Sequence, residues 1–171
     1  MKQRIAVLLH NVRSTHNVGS IFRTSEAAGV EKIYLSGYTP TPRDRFGRAR
    51  KDIAKTALGA EKIVPWERIA SPAKIIKKLG MEGWTIVGAE QDKRAIDYRK
   101  YKSRRPTLFI FGNEVKGIPK SVRDACGALI EIPMHGRKES LNVSVAAGII
   151  LFTAMRRCTH ERTQIHADIS A

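Results

Sequence analysis

Residues 131–145 read EIPMHGRKESLNVSV. The stretch begins as the end of an apolar strand at Ile132, crosses a loop of glycine, basic and small polar residues, and enters an apolar helix near Ser140, Leu141 and Asn142. Ser and Asn are favoured helix N-caps because their side-chain oxygens accept hydrogen bonds from free N–H groups of the first turn. Those N–H groups and the helix dipole can also hold part of a ligand. Taken alone, the stretch favours an ordinary capped helix over a ligand site.

The length and net charge of the chain limit the kinds of protein and of binding partner that it can represent. Its 171 residues suffice for one domain with one buried core. The content of 42% hydrophobic and 27% charged residues is typical of a soluble globular protein. The net charge of +15 predicts a polyanionic partner, first of all a nucleic acid, because lysine and arginine release counterions when they bind phosphates. A membrane surface is the weaker alternative.

Targeting and metal-binding signals are weak. The N-terminal apolar run is short and lacks a small-residue cleavage pattern, so we interpret it as a strand. No apolar run is long enough to cross a bilayer, and we expect a cytoplasmic protein. The only two cysteines, Cys126 and Cys158, are typical of reduced thiols. Together with His135 and His160 they lack the spacing of a zinc site, so the sequence predicts no metal.

Apolar patterning alternates between strands and helices along the chain. Strands are predicted at residues 4–9, 31–36, 61–64, 84–89, 106–111 and 128–132, and helices at residues 17–28, 52–58, 72–78, 119–126 and 141–158. This alternation predicts an α/β fold, with a mostly parallel sheet that helices cover on both faces. The most uniformly apolar strand, residues 106–111, is expected at the centre. We expect one domain over residues 1–160 and a frayed tail over residues 161–171.

Ligands of such sheets bind beyond the carboxyl ends of the strands. The loops concerned follow Leu9, Ala89, Phe111 and Ile132. After the first strand only Gly19 stands in NVGSIF, so the dinucleotide fingerprint of three spaced glycines is absent. Gly112 and Gly117 have the spacing of a phosphate loop, but Ile118 and Pro119 stand where an ATP site needs Lys and Ser or Thr. Both familiar nucleotide sites are therefore excluded.

Two basic segments provide surfaces for a polyanion. Residues 39–51, TPTPRDRFGRARK, cannot form a core of their own. We interpret them as an arm that grips phosphates, with Phe46 available for stacking, in preference to a solvated loop. Residues 93–105 are mostly charged and include Tyr98 and Tyr101. They are equally typical of a second RNA-facing strip and of a solvated surface connection.

Three segments, taken together, resemble a known family. They are residues 11–24 (NVRSTHNVGSIFRT), residues 108–119 (LFIFGNEVKGIP) and residues 130–149 (IEIPMHGRKESLNVSVAAGI). In content and order they closely resemble the three signature motifs of the SpoU (TrmH-like) family of RNA ribose 2′-O-methyltransferases, in the SPOUT superfamily. The similarity covers residues 5–155. All three motifs together are specific, whereas any one alone is a weak signal.

The resemblance implies a fold that patterning does not predict. Similar proteins are α/β methyltransferases whose C-terminal part forms a deep trefoil knot, a feature that is nearly absent among other proteins. Residues 133–140 would be the knotted loop and would cradle S-adenosylmethionine in a bent shape. The family also implies a homodimer whose site is completed across the interface. The small residues Ala146, Ala147 and Gly148 would then have a packing role.

The family's functional residues carry over where the motifs match. The implied catalytic residues are Asn17, Arg23, Glu114, Ser140 and Asn142. The implied contacts to S-adenosylmethionine are Gly112, Ile132, Leu141, Met134 and Ala89. This cofactor already carries an activated methyl group, so the protein has chiefly to align the ribose 2′-hydroxyl with it and to help remove a proton.

Chemistry suggests a role for each catalytic residue. A guanidinium stays protonated at physiological pH, so we expect Arg23 to grip a phosphate and stabilise alkoxide charge, while a phosphate oxygen takes the proton. Glu114 would orient Arg23 or Asn17 by a charge-assisted hydrogen bond, or form a plain surface ion pair. Ser140 and Asn142 would position the hydroxyl while capping the last helix, or Ser140 would be an ordinary cap.

The sequence thus predicts an S-adenosylmethionine-dependent RNA 2′-O-methyltransferase that acts as a homodimer. Many similar ribosomal RNA enzymes carry an added N-terminal RNA-binding domain, whereas this chain begins at its first strand. Recognition is therefore expected from the basic segments and the dimer surface, which favours tRNA and leaves rRNA open. The alternatives are a base methyltransferase of the same superfamily and a non-catalytic RNA-binding or assembly factor.

Overall fold

A computed structural model of the chain describes residues 4–102 and 105–168, with side chains described as far as Met155. Its strands are β1 (Ile5–His10), β2 (Lys32–Ser36), β3 (Trp66–Ile69), β4 (Thr85–Ala89), β5 (Ile96–Asp97), β6 (Thr107–Phe111) and β7 (Ala128–Glu131). Its helices are α1 (Thr15–Ala27), α2 (Lys51–Ala57), α3 (Ala60–Ile63), α4 (Pro72–Met81), α5 (Lys120–Arg123) and α6 (Val143–Asp168).

The strands form one seven-stranded sheet in the order β3-β2-β1-β6-β4-β7-β5. Each pairing between these strands is parallel. β6 pairs with β1 on one side and β4 on the other, and all five of its residues are buried, which confirms its predicted central position. The parallel arrangement places the carboxyl ends of β1, β4, β6 and β7 along one edge of the sheet.

Side chains of the sheet alternate between two apolar layers, as a pleated strand requires. In β1, Ile5, Val7 and Leu9 belong to the first layer, whereas Ala6 and Leu8 belong to the second. Buried residues of α1, α2 and α6 complete the first layer, and those of α4 and α5 complete the second. Helices therefore cover both faces of a parallel sheet, and the predicted α/β class is confirmed.

The segment at residues 61–64 was predicted as a strand, and this prediction is wrong. Residues 60–63 form helix α3, and the strand of this region is β3, which follows at Trp66–Ile69. Leu58 and Gly59, both in the left-handed conformation, separate α2 from α3. The apolar run is too short for its spacing to distinguish a turn of helix from a strand.

Two helix starts also differ from the prediction. α1 begins at Thr15 and not at Asn17, because the hydroxyl of Ser14 caps it by accepting from the N–H of Asn17 at 3.2 Å. α6 begins at Val143 and not at Leu141. Both errors arose because a polar residue near the start of a helix can be either its cap or part of its first turn.

The last helix, α6, is longer than the sequence predicted. α6 extends to Asp168, beyond its predicted end at Cys158, while the domain limits and the frayed tail stay predictions.

The segment at residues 93–105 contains the edge strand β5, and its residues 103 and 104 lie outside the described residues. Within the described ranges, no helix has both the length and the apolar character needed to cross a membrane.

Candidate active site

A cavity of about 380 Å³ opens at the carboxyl edge of the sheet, where β4, β6 and β7 end. Its volume is within the range of ligand-binding pockets. Glu114 and Ser140 line it. So do all the residues predicted to contact a cofactor, Ala89, Gly112, Ile132, Met134 and Leu141. Of the predicted catalytic residues, Asn17, Arg23 and Asn142 are not part of its lining.

Gly112 lies where two stretches of backbone touch. A Cβ atom here would come within 2.4 Å of the carbonyl carbon of Gly117 and 2.5 Å of the nitrogen of Ile118. Asn113 and Gly117 close the intervening turn with two backbone hydrogen bonds, of 3.1 and 2.9 Å. A side chain at position 112 would therefore displace the turn that forms one side of the cavity.

Glu114 joins this turn to the start of α1. Its Oε2 accepts from the N–H of Arg13 at 3.0 Å, and its Oε1 accepts from the N–H of Ser14 at 3.1 Å and from Asn17 Nδ2 at 3.0 Å. Burial raises the pKa of Glu114, but the hydrogen bonds from these donors outweigh it and hold the pKa below its ordinary value. Of its two predicted partners, the Glu114 carboxylate therefore binds Asn17 and not Arg23.

Asn17 continues this contact to the third motif. Its Oδ1 accepts from Asn142 Nδ2 at 3.1 Å, and Asn142 Oδ1 accepts from the N–H of Ser144 at 2.8 Å. Asn142 is thus the N-cap of α6, whereas Ser140 precedes the helix and lines the cavity, so Ser140 is not a cap. Glu114, Asn17 and Asn142 form a hydrogen-bonded chain, which we call the motif relay. It ties the three motif segments together at one edge of the sheet.

Arg23 lies elsewhere on α1. Its side chain is exposed and lines a second cavity, of about 560 Å³, with Lys55 and Thr56 near it and Phe152 from α6. The first and second cavities have no described lining residue in common. Within one chain, the predicted catalytic arginine therefore lines a different cavity from the predicted cofactor residues.

Two residues that follow β4 were not predicted. Glu90 Oε2 accepts from the N–H of Ile118 at 2.5 Å, and Gln91 Nε2 donates to the carbonyl of Glu139 at 2.5 Å. Both residues line the first cavity. Their only sequence signal is their place directly after a predicted strand, because their partners lie 28 and 48 positions away.

Metal-ligating side chains do not gather in the described part of the chain. No group of three or more His, Cys, Asp or Glu side chains there is placed to hold a metal ion. Cys126 is a free, half-buried thiol, and burial raises its pKa to about 11, so it stays protonated at neutral pH. The side chains of Cys158 and His160 are not described, and the absence of a metal stays a prediction.

Known proteins resemble this chain in sequence. A sequence model of the SpoU rRNA Methylase family matches residues 4–152. A protein of Staphylococcus haemolyticus, named as a TrmH family tRNA/rRNA methyltransferase, is 36% identical over 88% of this chain and 58% of its own length. The 23S rRNA (guanosine-2′-O-)-methyltransferase RlmB of Ralstonia nicotianae is 33% identical over 90% of this chain and 59% of its own. The chain thus spans less than two thirds of these relatives.

A solved structure shows the same fold. The rRNA methyltransferase of Sinorhizobium meliloti, crystallised with bound AdoMet, superposes with a TM-score of 0.82 and 32% sequence identity, over 92% of this chain and 57% of its own. The matched family region, residues 4–152, contains all three motif segments and every described residue that lines the first cavity. The resemblance predicted from the motifs is confirmed, and the chain belongs to the SpoU rRNA Methylase family.

Proposed function

We propose that this chain is an S-adenosylmethionine-dependent RNA methyltransferase that transfers a methyl group to a ribose 2′-hydroxyl of structured RNA. The observation that carries the proposal is the motif relay beside the cavity of about 380 Å³. Family membership supports it, as does the name of the Ralstonia relative, which specifies methylation at the 2′-oxygen of guanosine in 23S rRNA.

The lining of the first cavity fits S-adenosylmethionine. Apolar side chains suited to an adenine ring come from Ile130, Ile132, Met134, Leu141, Val143 and Ile150. Carboxylates suited to the cationic end of the molecule come from Glu90, Glu131 and Glu139. When bound, the cofactor supplies a methyl group that its sulfonium has already activated. The AdoMet-bound Sinorhizobium structure supports the assignment.

The chain's own residues then position the ribose hydroxyl and assist the loss of its proton. Glu114 holds Asn17, and Asn17 holds Asn142, which fixes the first turn of α6 next to the cavity. Ser140 lines the cavity and offers a hydroxyl to the ribose. Arg23 binds the adjacent phosphate and stabilises the developing alkoxide, because a guanidinium is a poor base but a strong donor. A phosphate oxygen accepts the proton.

A homodimer would bring Arg23 to the cavity. In one chain Arg23 lines the second cavity and not the first, which supports a catalytic set that a second copy completes. Two apolar side chains of α6 are exposed, Phe152 to 46% and Val145 to 50%. Phe152 lines the second cavity together with Arg23. Such exposed apolar side chains favour a protein interface. We assign Arg23 of each chain to the first cavity of the other.

The basic hairpin, which we define as residues 43–49, is the better candidate for gripping RNA phosphates. Phe46 at its tip is 66% exposed, and the guanidinium carbons of Arg45 and Arg48 lie 4.8 and 5.0 Å from its ring centre. Asp44 shapes the tip by accepting from the N–H groups of Phe46 at 2.8 Å and Arg48 at 3.0 Å. The hairpin thus presents an aromatic ring flanked by two guanidinium groups, which suits single-stranded RNA, although that of Arg48 is also paired with Asp44 at 2.8 Å.

The segment at residues 93–105 supports a structural role instead. Arg94 is paired with Asp92 and Asp124, and Arg99 is paired with Asp97. Its tyrosines, Tyr98 and Tyr101, pack against the first apolar layer. Because Arg94 and Arg99 already have carboxylate partners, these two arginines are less available to a phosphate than an unpaired cation would be. The preference for tRNA over rRNA stays a prediction.

The order of the strands β4, β7 and β5 bears on the knot that we propose for the C-terminal part. β7 lies between β4 and β5, although residues 90–95 already join these two strands, so the chain leaving β7 must pass that connection. This supports a trefoil knot in the C-terminal part, with residues 133–140 as the knotted loop. We also infer that the protein acts in the cytoplasm without a metal, as a single methyltransferase domain.

Calorimetry with S-adenosylmethionine and a transfer assay test the activity. Purified protein is incubated with methyl-labelled cofactor and RNA from cells that lack the protein, and the RNA is digested to nucleosides. We expect cofactor binding and label in a 2′-O-methyl nucleoside. Label in a methylated base would establish a base methyltransferase. Absence of cofactor binding, despite salt-sensitive RNA binding, would establish an RNA-binding or assembly factor.

A further inference from the structure

A third cavity, of about 400 Å³, lies next to the first and shares Asn113 and Val115 with it. Its other described lining residues are Arg13, Tyr38 and Lys116. The third cavity therefore combines an exposed aromatic ring with two cationic side chains. None of its lining residues has a role in the methyl transfer proposed above.

Asn113 holds the two sides of this cavity together. It is 7% exposed, and its Nδ2 donates to the hydroxyl of Tyr38 and to the carbonyl of Asn11, both at 3.0 Å. Its Oδ1 accepts from the N–H of Val115 at 3.0 Å and of Lys116 at 2.8 Å. One buried amide thus fixes the aromatic side and the turn that carries the lysine, so the third cavity is a built site.

The loop that carries Tyr38 is held in an uncommon conformation. Asn11 and Gly37 both have a left-handed backbone, with φ of 60° and 65°. A Cβ atom at Gly37 would come within 1.8 Å of Asn11 Oδ1, which accepts from the N–H of Tyr38 at 3.3 Å. Arg68 secures the loop by donating to the carbonyl of Gly37 at 3.1 Å. Asn and Gly adopt this conformation more readily than other residues, so the residues at positions 11 and 37 suit the loop that carries Tyr38.

The cations and the apolar rim of the third cavity are available to a ligand. Arg13 and Lys116 are exposed, and neither belongs to an ion pair among residues 4–102 and 105–168. Val115, on the boundary with the first cavity, is 83% exposed. A ligand with a flat apolar face and a negative charge would cover this side chain and neutralise both cations.

We propose that the third cavity binds the target nucleotide of the RNA, with its base stacked on Tyr38 and a neighbouring phosphate held by Arg13 and Lys116. The proposal rests on the RNA methyltransferase function proposed above. A nucleotide supplies both the π face and the phosphate that these side chains recognise. Its ribose would lie at the boundary formed by Asn113 and Val115, next to the first cavity, where the methyl group is delivered.

A pair of Tyr38 variants tests the stacking contact. Transfer to RNA from cells that lack the protein is measured for wild type, Tyr38→Leu and Tyr38→Phe. Tyr38→Leu should lower kcat/KM for RNA about tenfold, because one base–aromatic stack is lost. Tyr38→Phe keeps the ring but loses the hydrogen bond from Asn113, so its kcat/KM should fall less than that of Tyr38→Leu. The dissociation constant for S-adenosylmethionine, measured by calorimetry, should be unchanged in both variants.

A charge-matched pair of double variants tests the phosphate contact. Arg13→Ala with Lys116→Ala should raise KM for RNA about fivefold, because two phosphate-binding cations are lost. Lys74→Ala with Lys77→Ala removes the same charge from exposed positions of α4, outside the described lining of all three cavities, and should change KM much less. Equal effects of the two double variants would overturn the phosphate assignment. Tyr38→Leu equal to wild type, or Tyr38→Phe as impaired as Tyr38→Leu, would overturn the stacking assignment.

Cross-linking of RNA to the protein does not depend on activity, so it tests the third cavity separately from the proposed methyl transfer. Wild-type protein is irradiated in complex with the same RNA, and cross-linked peptides are identified by mass spectrometry. Cross-links located on Tyr38 itself, within the tryptic peptide of residues 33–43, support the third cavity even if the protein proves inactive. Cross-links confined to other peptides would overturn it while leaving methyl transfer intact.

Discussion

The carboxylate of Glu114 accepts hydrogen bonds from Arg13, Ser14 and Asn17, and a longer one of 3.4 Å from Asn113 Nδ2. Only a group with two acceptor oxygens can satisfy them all. Glu114→Gln keeps the size but replaces one oxygen with a donor. One or two of the bonds to Arg13, Ser14 and Asn17 would then be lost, at a cost of about 1–3 kcal/mol. We expect a melting temperature lower by several degrees and strongly reduced methyl transfer. Glu26→Gln, at an exposed position of α1, is the matched control and should melt like wild type.

Titration of the partly buried His10 side chain makes the stability of the fold depend on pH. Burial lowers its pKa below the ordinary value of about 6.5, while its Nδ1 and Nε2 contact Ser36 Oγ at 2.8 Å and Asn11 Nδ2 at 3.1 Å. The unfolded chain then binds more protons than the folded one, so stability is lost as pH falls below about 6.5. Asp92 and Asp97, with pKa values lowered to about 2, lose their contribution only at much lower pH.

Thermal melts at pH 7.5 and 5.5 measure this effect, since the interval spans the ordinary histidine pKa. Wild type should melt at a lower temperature at the acidic pH, and His10→Gln should show a smaller difference between the two. An identical difference in both proteins would show that another group, and not His10, titrates in this interval.

At the scale of elements, the start of α6 serves both stability and the motif relay. Asn142→Ala removes the cap on Ser144 and the bond to Asn17, and should cost about 1 kcal/mol of stability. Asn142→Asp keeps a capping oxygen but cannot donate to Asn17 Oδ1, and Asn17 cannot turn its amide because Glu114 occupies Nδ2. We expect Asn142→Asp to melt near wild type and still lose transfer activity. Equal activity of wild type and Asn142→Asp would exclude the relay from catalysis.

The elements differ in how far the sequence predicted them. β6 and the cavity at the sheet edge could be predicted, because a long apolar run and a parallel sheet constrain both. α3 and the two-residue β5 could not, since elements so short have no readable period. The contacts of Asn17 with Glu114 and Asn142 span 97 and 125 positions, so only the family motifs linked them beforehand. In the third cavity only Tyr38 lies outside the motif segments, so no motif linked it beforehand to Asn113, 75 positions away.

At the scale of the whole molecule, the proposed sharing of Arg23 between subunits would make the dimer a condition for activity. Arg23→Ala alone should abolish transfer and leave the affinity for S-adenosylmethionine near wild type. Leu141→Arg should fill the first cavity with a charged side chain and abolish cofactor binding, while its Arg23 stays intact. Each homodimer would then be inactive for a different reason.

Co-expression of these two variants with different tags yields mixed dimers. If each cavity uses Arg23 of the partner subunit, a mixed dimer contains one complete site, formed by the unaltered cavity of one chain and the unaltered arginine of the other. A random mixture should recover about a quarter of wild-type activity, since half the dimers are mixed and each has one working site of two. If Arg23 acts within its own chain, no complete site can form. Purified mixed dimers without activity, but with one cofactor bound per dimer, would therefore refute the shared site.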